Sequence, residues 1–393
     1  MSEWLALAAV ASALYLFECL VWIEASAIAC FKIPLQRGWR CAAGASLPGN
    51  DRGGVTFVDP TTVRGSVVVC HRWPVSLSPA GVTNLAFDGA CDGSSTDPTY
   101  IPFEEVKEVR VQLGDIHIND VRIARLSSPV LAIAIADHIR RIWQCPPSKR
   151  PQAITRAVAA ALDHKAANAA WHAFQSRTTL LRMWCECLFS FTFIAAPLSL
   201  ILIGPYPTWK YLLVTGLILT VGTAVTFFRS HKALFPQSGY DRWVNALAMV
   251  LLPVATIRCM DTLSRDALCG YGWAVVSPLL CTHEEATRAS RLRLLDMRVW
   301  LDDVASRSNG RAADCARWFQ HLLTTETQIA LDRLGITALA PPVPEDETMV
   351  CFCPRCHAQF RMPRTECPTC VGVGVTPFVE LPERSRSAYQ SNG

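Results

Sequence analysis

Charged residues are scarce in this chain: Asp, Glu, Lys and Arg make up only 18% of its 393 residues, against 51% hydrophobic residues. Soluble globular domains carry about 25% charged residues. Together with a mean hydropathy of +0.23, this shortage argues against a wholly soluble protein and favours membrane segments. The length leaves room for two or three compact units.

The sequence also lacks the short motifs of common enzymes. It contains no nucleophile elbow, no phosphate-binding Walker loop and no dinucleotide-binding fingerprint. His283-Glu284-Glu285 has no second His at the spacing of a zinc-protease helix. These absences favour a protein that is not an enzyme.

Two charge-free runs are long enough to cross a bilayer. Cys187–Trp209 has 23 uncharged residues and Tyr211–Phe228 has 18, which suits a hydrocarbon core of about 30 Å. Lys210 and the turn residues Gly204–Pro207 separate them. We therefore predict a transmembrane hairpin over 185–230, with a very apolar core hairpin of a soluble protein as the alternative.

The amino-terminal residues form a third apolar segment. Trp4–Phe17 is uncharged and the apolar character resumes at Leu20–Ile23. We predict an uncleaved transmembrane anchor over 1–30. A cleaved signal peptide is the alternative, but Glu3 stands where a signal peptide carries Lys or Arg.

Positive charges near the ends of the three segments predict the topology. They are Lys32, Arg37 and Arg40 after the first, Arg177 and Arg182 before the second, and Arg229 and Lys232 after the third. The amino terminus is then outside and the main soluble domains are cytoplasmic. The odd number of cysteines, 17, suits a reducing compartment. We predict a multi-pass protein of the bacterial inner membrane.

Two apolar stretches in the region 231–335 are too short to cross a bilayer. Trp243–Ile257 and Ala267–Thr282 are interrupted by Pro or Gly, so we predict interfacial or partly embedded helices. Arg291–Trp300 alternates basic and apolar residues, as expected of an amphipathic helix near the membrane. Region 231–335 is therefore predicted to be membrane-associated and helical.

Residues 31–150 read as a β-rich cytoplasmic domain that ends in a helix. Short β-branched runs are separated by Gly, Pro and Asp. Ser128 then provides a helix N-cap with Pro129 at the first helical position. Ala153–Trp184 lacks Pro and Gly, so we predict one long connecting helix over 151–184.

The order of these elements resembles a bacterial PH-like (pleckstrin-homology-like) or GRAM-like domain. The residues that carry the resemblance are Val75–Val82, Ile101–Val106 and Ser128–Trp143. The resemblance implies a binding or docking module without catalytic residues. An unrelated α+β domain is the alternative, and without a dense basic loop we do not expect phosphoinositide binding.

Four cysteines near the carboxy terminus have metal-ligand spacing. Cys353-Pro-Arg-Cys356 and Cys367-Pro-Thr-Cys370 are separated by ten residues, so four thiolates can surround one structural Zn²⁺. The segment resembles a zinc ribbon with rubredoxin-type knuckles, and His357 departs from the Gly usual there. We predict a linker over 336–350, the ribbon over 351–375 and a disordered tail over 376–393. The alternatives are a redox dithiol pair or idle thiols, and Cys351 or His357 is a possible surrogate ligand.

These observations predict a multi-pass α+β membrane protein that acts as a non-enzymatic adaptor. Its PH-like domain and zinc ribbon are expected to bind proteins at the cytoplasmic face, with the lipid bilayer as the other partner. Nucleic-acid binding is not expected, because acidic residues balance the arginines. The alternative function is a membrane thiol-redox or metal-handling protein that uses Cys185, Cys187 and Cys351.

Overall fold

The computed structural model describes residues 3–23, 27–43, 54–71, 73–84, 99–126, 128–287, 289–290, 294, 310–336, 344, 346–353, 358–368 and 374–378. Within them, helices and small antiparallel sheets form a mixed α+β architecture.

The helices are α1 (Glu3–Glu18), α2 (Pro129–Gln144), α3 (Arg150–Ala161), α4 (His164–Arg177), α5 (Thr179–Ser190), α6 (Ala196–Leu202), α7 (Pro205–Leu234), α8 (Gly239–Leu251), α9 (Pro253–Thr256), α10 (Cys259–Ala267), α11 (Trp273–Leu280) and α12 (Arg311–Arg333). A 3-10 turn (Pro147–Lys149) precedes α3, and a π-helical turn (Phe191–Ala195) joins α5 to α6.

The strands are β1 (Leu20–Ile23), β2 (Ala27–Phe31), β3 (Arg40–Ala43), β4 (Gly54–Phe57), β5 (Val67–His71), β6 (Val75–Leu77), β7 (Gly81–Asn84), β8 (Tyr100–Pro102), β9 (Val109–Gln112), β10 (Asp115–Ile118), β11 (Val121–Arg125), β12 (Cys351–Phe352), β13 (Gln359–Phe360) and β14 (Thr376–Pro377). The sheet orders are β1-β4, β3-β2-β5, β6-β7-β8, β11-β10-β9 and β13-β12-β14.

The amino-terminal segment differs from the predicted anchor over 1–30. Its helix, α1, ends at Glu18, and the chain continues as strands β1 and β2. In β1, Val21 and Ile23 are buried while Leu20 and Trp22 are exposed, the alternation expected of a strand with one covered face. The central strand β2 is buried along its whole length. The apolar residues of β2, with Val21 and Ile23 of β1, therefore belong to a protein core.

The predicted domain over 31–150 is divided between two hydrophobic cores. β2 and β5 pack in a first core with α4, α5, α10 and α11. β6–β11, α2 and α3 form a second core, to which α12 contributes Phe319. The Ser128 N-cap is confirmed, since its Oγ accepts a hydrogen bond from the Leu131 backbone N at 3.2 Å.

The predicted long helix over 151–184 is broken at Asp163. The Asp163 carboxylate accepts hydrogen bonds from the backbone N atoms of Lys165, at 2.9 Å, and Ala166, at 3.1 Å. This N-cap begins α4 and accepts from amide groups that would donate to carbonyls of α3 in a continuous helix. The end of α3 is satisfied by a tertiary contact, because the Gly272 amide donates to the Ala161 carbonyl at 2.7 Å.

The hairpin helices predicted from the charge-free runs are present. Thr179–Leu202 and Thr208–Leu234 are long and apolar enough to cross a membrane. Only 11% and 28% of their apolar windows are buried in the protein, so most of the apolar surface of both helices is exposed. The turn between them contains Gly204, whose φ of 88° favours glycine.

The two short apolar stretches have different environments. α11, within the predicted stretch Ala267–Thr282, is buried from Trp273 to Ser277 in the first core; the prediction of an interfacial helix is wrong there. α8 instead exposes large apolar side chains. The predicted amphipathic helix Arg291–Trp300 lies outside the described residues apart from Leu294, which is buried.

The tail strands extend beyond the predicted ribbon boundary. β14 pairs with β12, and the Phe378 ring packs against Phe352 with centroids 4.9 Å apart. Residues 376–378, predicted to be disordered, therefore belong to this small sheet. The rest of the predicted disordered tail, 379–393, lies outside the described residues.

Candidate metal centre

Three cysteines from distant parts of the chain meet at one edge of the first core. Cys30 of β2 is directly opposite Cys41 of β3 in the antiparallel register, so both side chains lie on the same face of the sheet. Cys281 follows α11, where its amide donates to the Ser277 carbonyl at 2.8 Å. The Cys41 Sγ is 3.2 Å from the Cys30 Sγ and 3.3 Å from the Cys281 Sγ.

Glu285 and Arg40 form an ion pair next to this cluster. The Glu285 carboxylate is buried and accepts a hydrogen bond from the Cys41 backbone N at 3.1 Å. Its other oxygen is 3.5 Å from an Arg40 guanidinium nitrogen. The carboxylate therefore holds β3 against the segment that carries Cys281, and the Arg40 cation offsets negative charge at the site.

Hydrogen bonding among the three sulfur atoms gives the thiols different pKa values. Hydrogen bonds with the Cys30 and Cys41 thiols lower the pKa of Cys281 to about 5. The same contacts, with burial, raise the pKa of Cys30 and Cys41 well above the ordinary thiol value. In the metal-free protein, one thiolate thus lies beside two thiols, an arrangement that provides a first ligand for a cation.

The spacing of the sulfur atoms suits a thiophilic metal ion. All three lie within 4.8 Å of one another. A Zn–S bond of about 2.3 Å in tetrahedral geometry places sulfur atoms roughly 3.8 Å apart. A small outward movement of the side chains would accommodate that ion, and the residues present therefore fit a thiolate metal site.

The cysteines predicted as zinc ligands are only partly described. Cys353 and Cys367 are both buried and pack in one small cluster with Phe360 and Val375. Cys356 and Cys370 lie outside the described residues, so the full set of four ligands stays a prediction. The Cys351 Sγ donates to the Met362 carbonyl at 3.4 Å.

The cysteines of the predicted thiol-redox alternative have separate environments. The Cys185 Sγ is buried and lies 3.5 Å from the Cys259 Sγ, whereas Cys187 is exposed. Burial and the Cys185 contact raise the pKa of Cys259 well above its ordinary value. Both sulfur atoms are buried, which is typical of thiols that fill space in a core.

Sequence reasoning missed the cluster of Cys30, Cys41 and Cys281. Cys41 and Cys281 are 240 positions apart, and none of the three belongs to a short motif. Only the strand register and the position at which α11 ends bring them together. The usable signal was weak: two cysteines in neighbouring strand-like segments.

Comparisons with protein-family descriptions, with curated proteins and with solved structures found no match for this chain. The resemblances to a PH-like domain and to a zinc ribbon therefore remain predictions from the residues that suggested them.

Proposed function

We propose that this protein is a membrane-anchored metal-binding protein with a thiolate centre at Cys30, Cys41 and Cys281. The observation that carries the proposal is the convergence of these three sulfur atoms within 4.8 Å of one another. A thiophilic divalent ion, with Zn²⁺ as the first candidate, fits their donor chemistry.

The position of the centre favours a structural role for the ion. It would join strands β2 and β3 to the segment that follows α11, across a chain separation of 240 residues. Only the folded chain brings segments so far apart in sequence together, so the three ligands form one site only in the native state. Because thiolate coordination forms only in the folded protein, the binding free energy adds to the free energy of unfolding.

Metal content of the purified full-length protein tests this proposal. If the cluster of Cys30, Cys41 and Cys281 binds zinc and the predicted ribbon over 351–375 also does, the wild-type chain carries about two ions. C281S should then carry one ion fewer, as should the double variant C353S/C367S. Cys145→Ser is the matched control, because Cys145 is half-buried and lies outside both clusters. Wild-type metal content in C281S would refute the proposal.

A second candidate function is that of a membrane-anchored adaptor at the cytoplasmic face. Its support is the arrangement of two hydrophobic cores, one formed by β6–β11 with α2 and α3 and one that includes the base of the hairpin. These two cores, together with the sheet formed by β12, β13 and β14, offer surfaces that can bind protein partners without any reactive group.

The adaptor proposal is tested by removing the residues after Pro341 from the chain and isolating its partners from detergent extracts. The truncated chain should still insert in the membrane, because the hairpin precedes the deletion, and should lose its partners. C185S and C187S in the full-length chain should keep them. If C185S and C187S abolish the cellular phenotype while the truncation does not, the thiol-redox alternative replaces the adaptor.

A further inference from the structure

We infer that α8 and α9 enter the bilayer beside α7 and return without crossing it. They return to the part of the protein formed by the two hydrophobic cores, which we call the soluble body. The first observation is a stripe of exposed apolar side chains along α8. Trp243, Leu247 and Leu251 are spaced four residues apart and are 67%, 62% and 70% exposed. Side chains at this spacing share one face of a helix, and an apolar face of this kind is rare on a soluble surface.

The opposite face of α8 packs against α7. Met249 and Arg242 on this face are buried, and the Phe228 ring of α7 reaches the edge of the apolar stripe, where it lies 4.7 Å from the Trp243 ring. The Arg242 guanidinium donates to the carbonyls of Phe235, at 3.1 Å, and Pro236, at 3.3 Å. Its charge is thereby placed at the carboxy-terminal end of α7, where a cation is favourable.

The apolar stripe of α8 continues the lipid-facing surface of the hairpin. On α7, Leu217, Val221 and Val225 are also exposed, within the segment long enough to span a membrane. The two helices are neighbours along much of α8. A bilayer that surrounds this part of α7 therefore also meets the exposed face of α8.

The length of α8 excludes a crossing. Its 13 residues span about 20 Å, against a hydrocarbon core of about 30 Å. Six residues after Leu252, the Arg258 guanidinium donates to the carbonyls of Asp59, at 2.9 Å, and Thr62, at 2.6 Å. The chain has thus returned to the loop between β4 and β5, and both ends of the segment lie at the soluble body.

The end of α8 carries the hydrogen bonds that a helix end in lipid needs. The buried Thr256 hydroxyl donates to the Met249 carbonyl at 2.6 Å, and the Thr256 amide donates to the Leu252 carbonyl at 3.2 Å. Non-helical backbone at membrane depth is tolerated only where the protein satisfies its polar groups. The turn between α8 and α9 meets this requirement, which favours lipid acyl chains as the occupant of the exposed face.

Lipid crosslinking in native membranes tests the inference on the full-length chain. A benzophenone amino acid is placed at position 247 of α8. Position 225 of α7, which is 47% exposed, is the positive control, and position 152 of α3, which is exposed, is the negative control. Lipid adducts at 247 should match those at 225 within about threefold, because the contact between Trp243 and Phe228 places the two positions at a similar level along the helices, and 152 should give none. Adducts to a protein at 247, or a yield like that of 152, would overturn the inference.

A second measurement separates a re-entrant segment from a crossing one. An epitope inserted at Gln237 and another inserted at Gly270 should become accessible to antibody on the same side of the membrane. Accessibility from opposite sides would mean that α8 and α9 cross. Neither measurement depends on the metal centre, since C281S should give the same crosslinks as the wild-type chain.

Discussion

A methyl group added to Gly222 of α7 would lie 2.5–2.8 Å from three carbon atoms of the Trp184 indole ring on α5. The indole therefore packs directly on the backbone of the neighbouring helix. Small residues that let apolar helices approach closely are typical of helix pairs in membranes, where packing provides much of the association free energy.

Gly222→Ala should destabilise the hairpin by about 1–3 kcal/mol, because the indole must move to make room for the added carbon. Gly239→Ala is the matched control, since a Cβ at Gly239 meets nothing within 4 Å. The measurement is the midpoint of thermal unfolding in detergent, followed by protease resistance of the hairpin. Equal midpoints for the two variants would contradict the packing described for Trp184.

The sequence predicted the elements whose signals are local. The hairpin followed from two charge-free runs, and the start of α2 followed from Ser128 and Pro129, because a cap acts within one helical turn. Interactions between distant residues were missed. The strand at Ala27–Phe31 was taken for part of an anchor, since a strand buried on both faces is as apolar as a membrane segment. The cluster of Cys30, Cys41 and Cys281 depends on a strand register and a helix end that no local pattern specifies.

Arg258 is expected to be essential for the stability of the first core. Its buried guanidinium forms an ion pair with Asp261 and donates to Ser66 Oγ at 2.8 Å. Removing one partner of a buried ion pair leaves the other charge uncompensated and costs about 3–5 kcal/mol.

Arg258→Met should therefore lower the free energy of unfolding by about 3–5 kcal/mol, measured by denaturant titration in detergent. Arg317→Met is the control, because the Arg317–Asp314 pair on α12 is exposed and such pairs contribute about 0–1 kcal/mol. A loss in R258M no larger than that in R317M would show that the buried network is dispensable.

His138 on α2 should make stability depend on pH. Burial, followed by the nearby Arg141 cation, lowers the pKa of His138 in the folded protein. In the unfolded chain a histidine has a pKa of about 6.5, so the unfolded state binds the proton more tightly than the folded state. The free energy of unfolding therefore falls as the pH drops below about 6.5 and reaches its lower limit below the folded pKa.

His138→Gln removes this titration. The unfolding midpoint is measured for H138Q and for the wild-type chain at pH 5 and at pH 8. The midpoint of H138Q minus that of the wild-type chain should be higher at pH 5 than at pH 8. A difference that is the same at the two pH values would contradict the effect of burial.

The last prediction concerns the sidedness of the membrane segments. The two ends of the hairpin meet at its base, where the Ser230 hydroxyl donates to the Arg177 carbonyl at 3.2 Å and the Arg177 guanidinium donates to the Ala233 carbonyl at 2.5 Å. If the hairpin spans a membrane, this shared base predicts that the soluble parts before and after it lie on one side. The positive charges at the base predict that this side is the cytoplasm. A reporter that is active only in the cytoplasm should work when it is fused after Trp143 or after Gly393, and it should fail when it is inserted at Pro207. Activity at Pro207 alone would invert the topology, and activity at all three positions would mean that the hairpin does not cross a membrane.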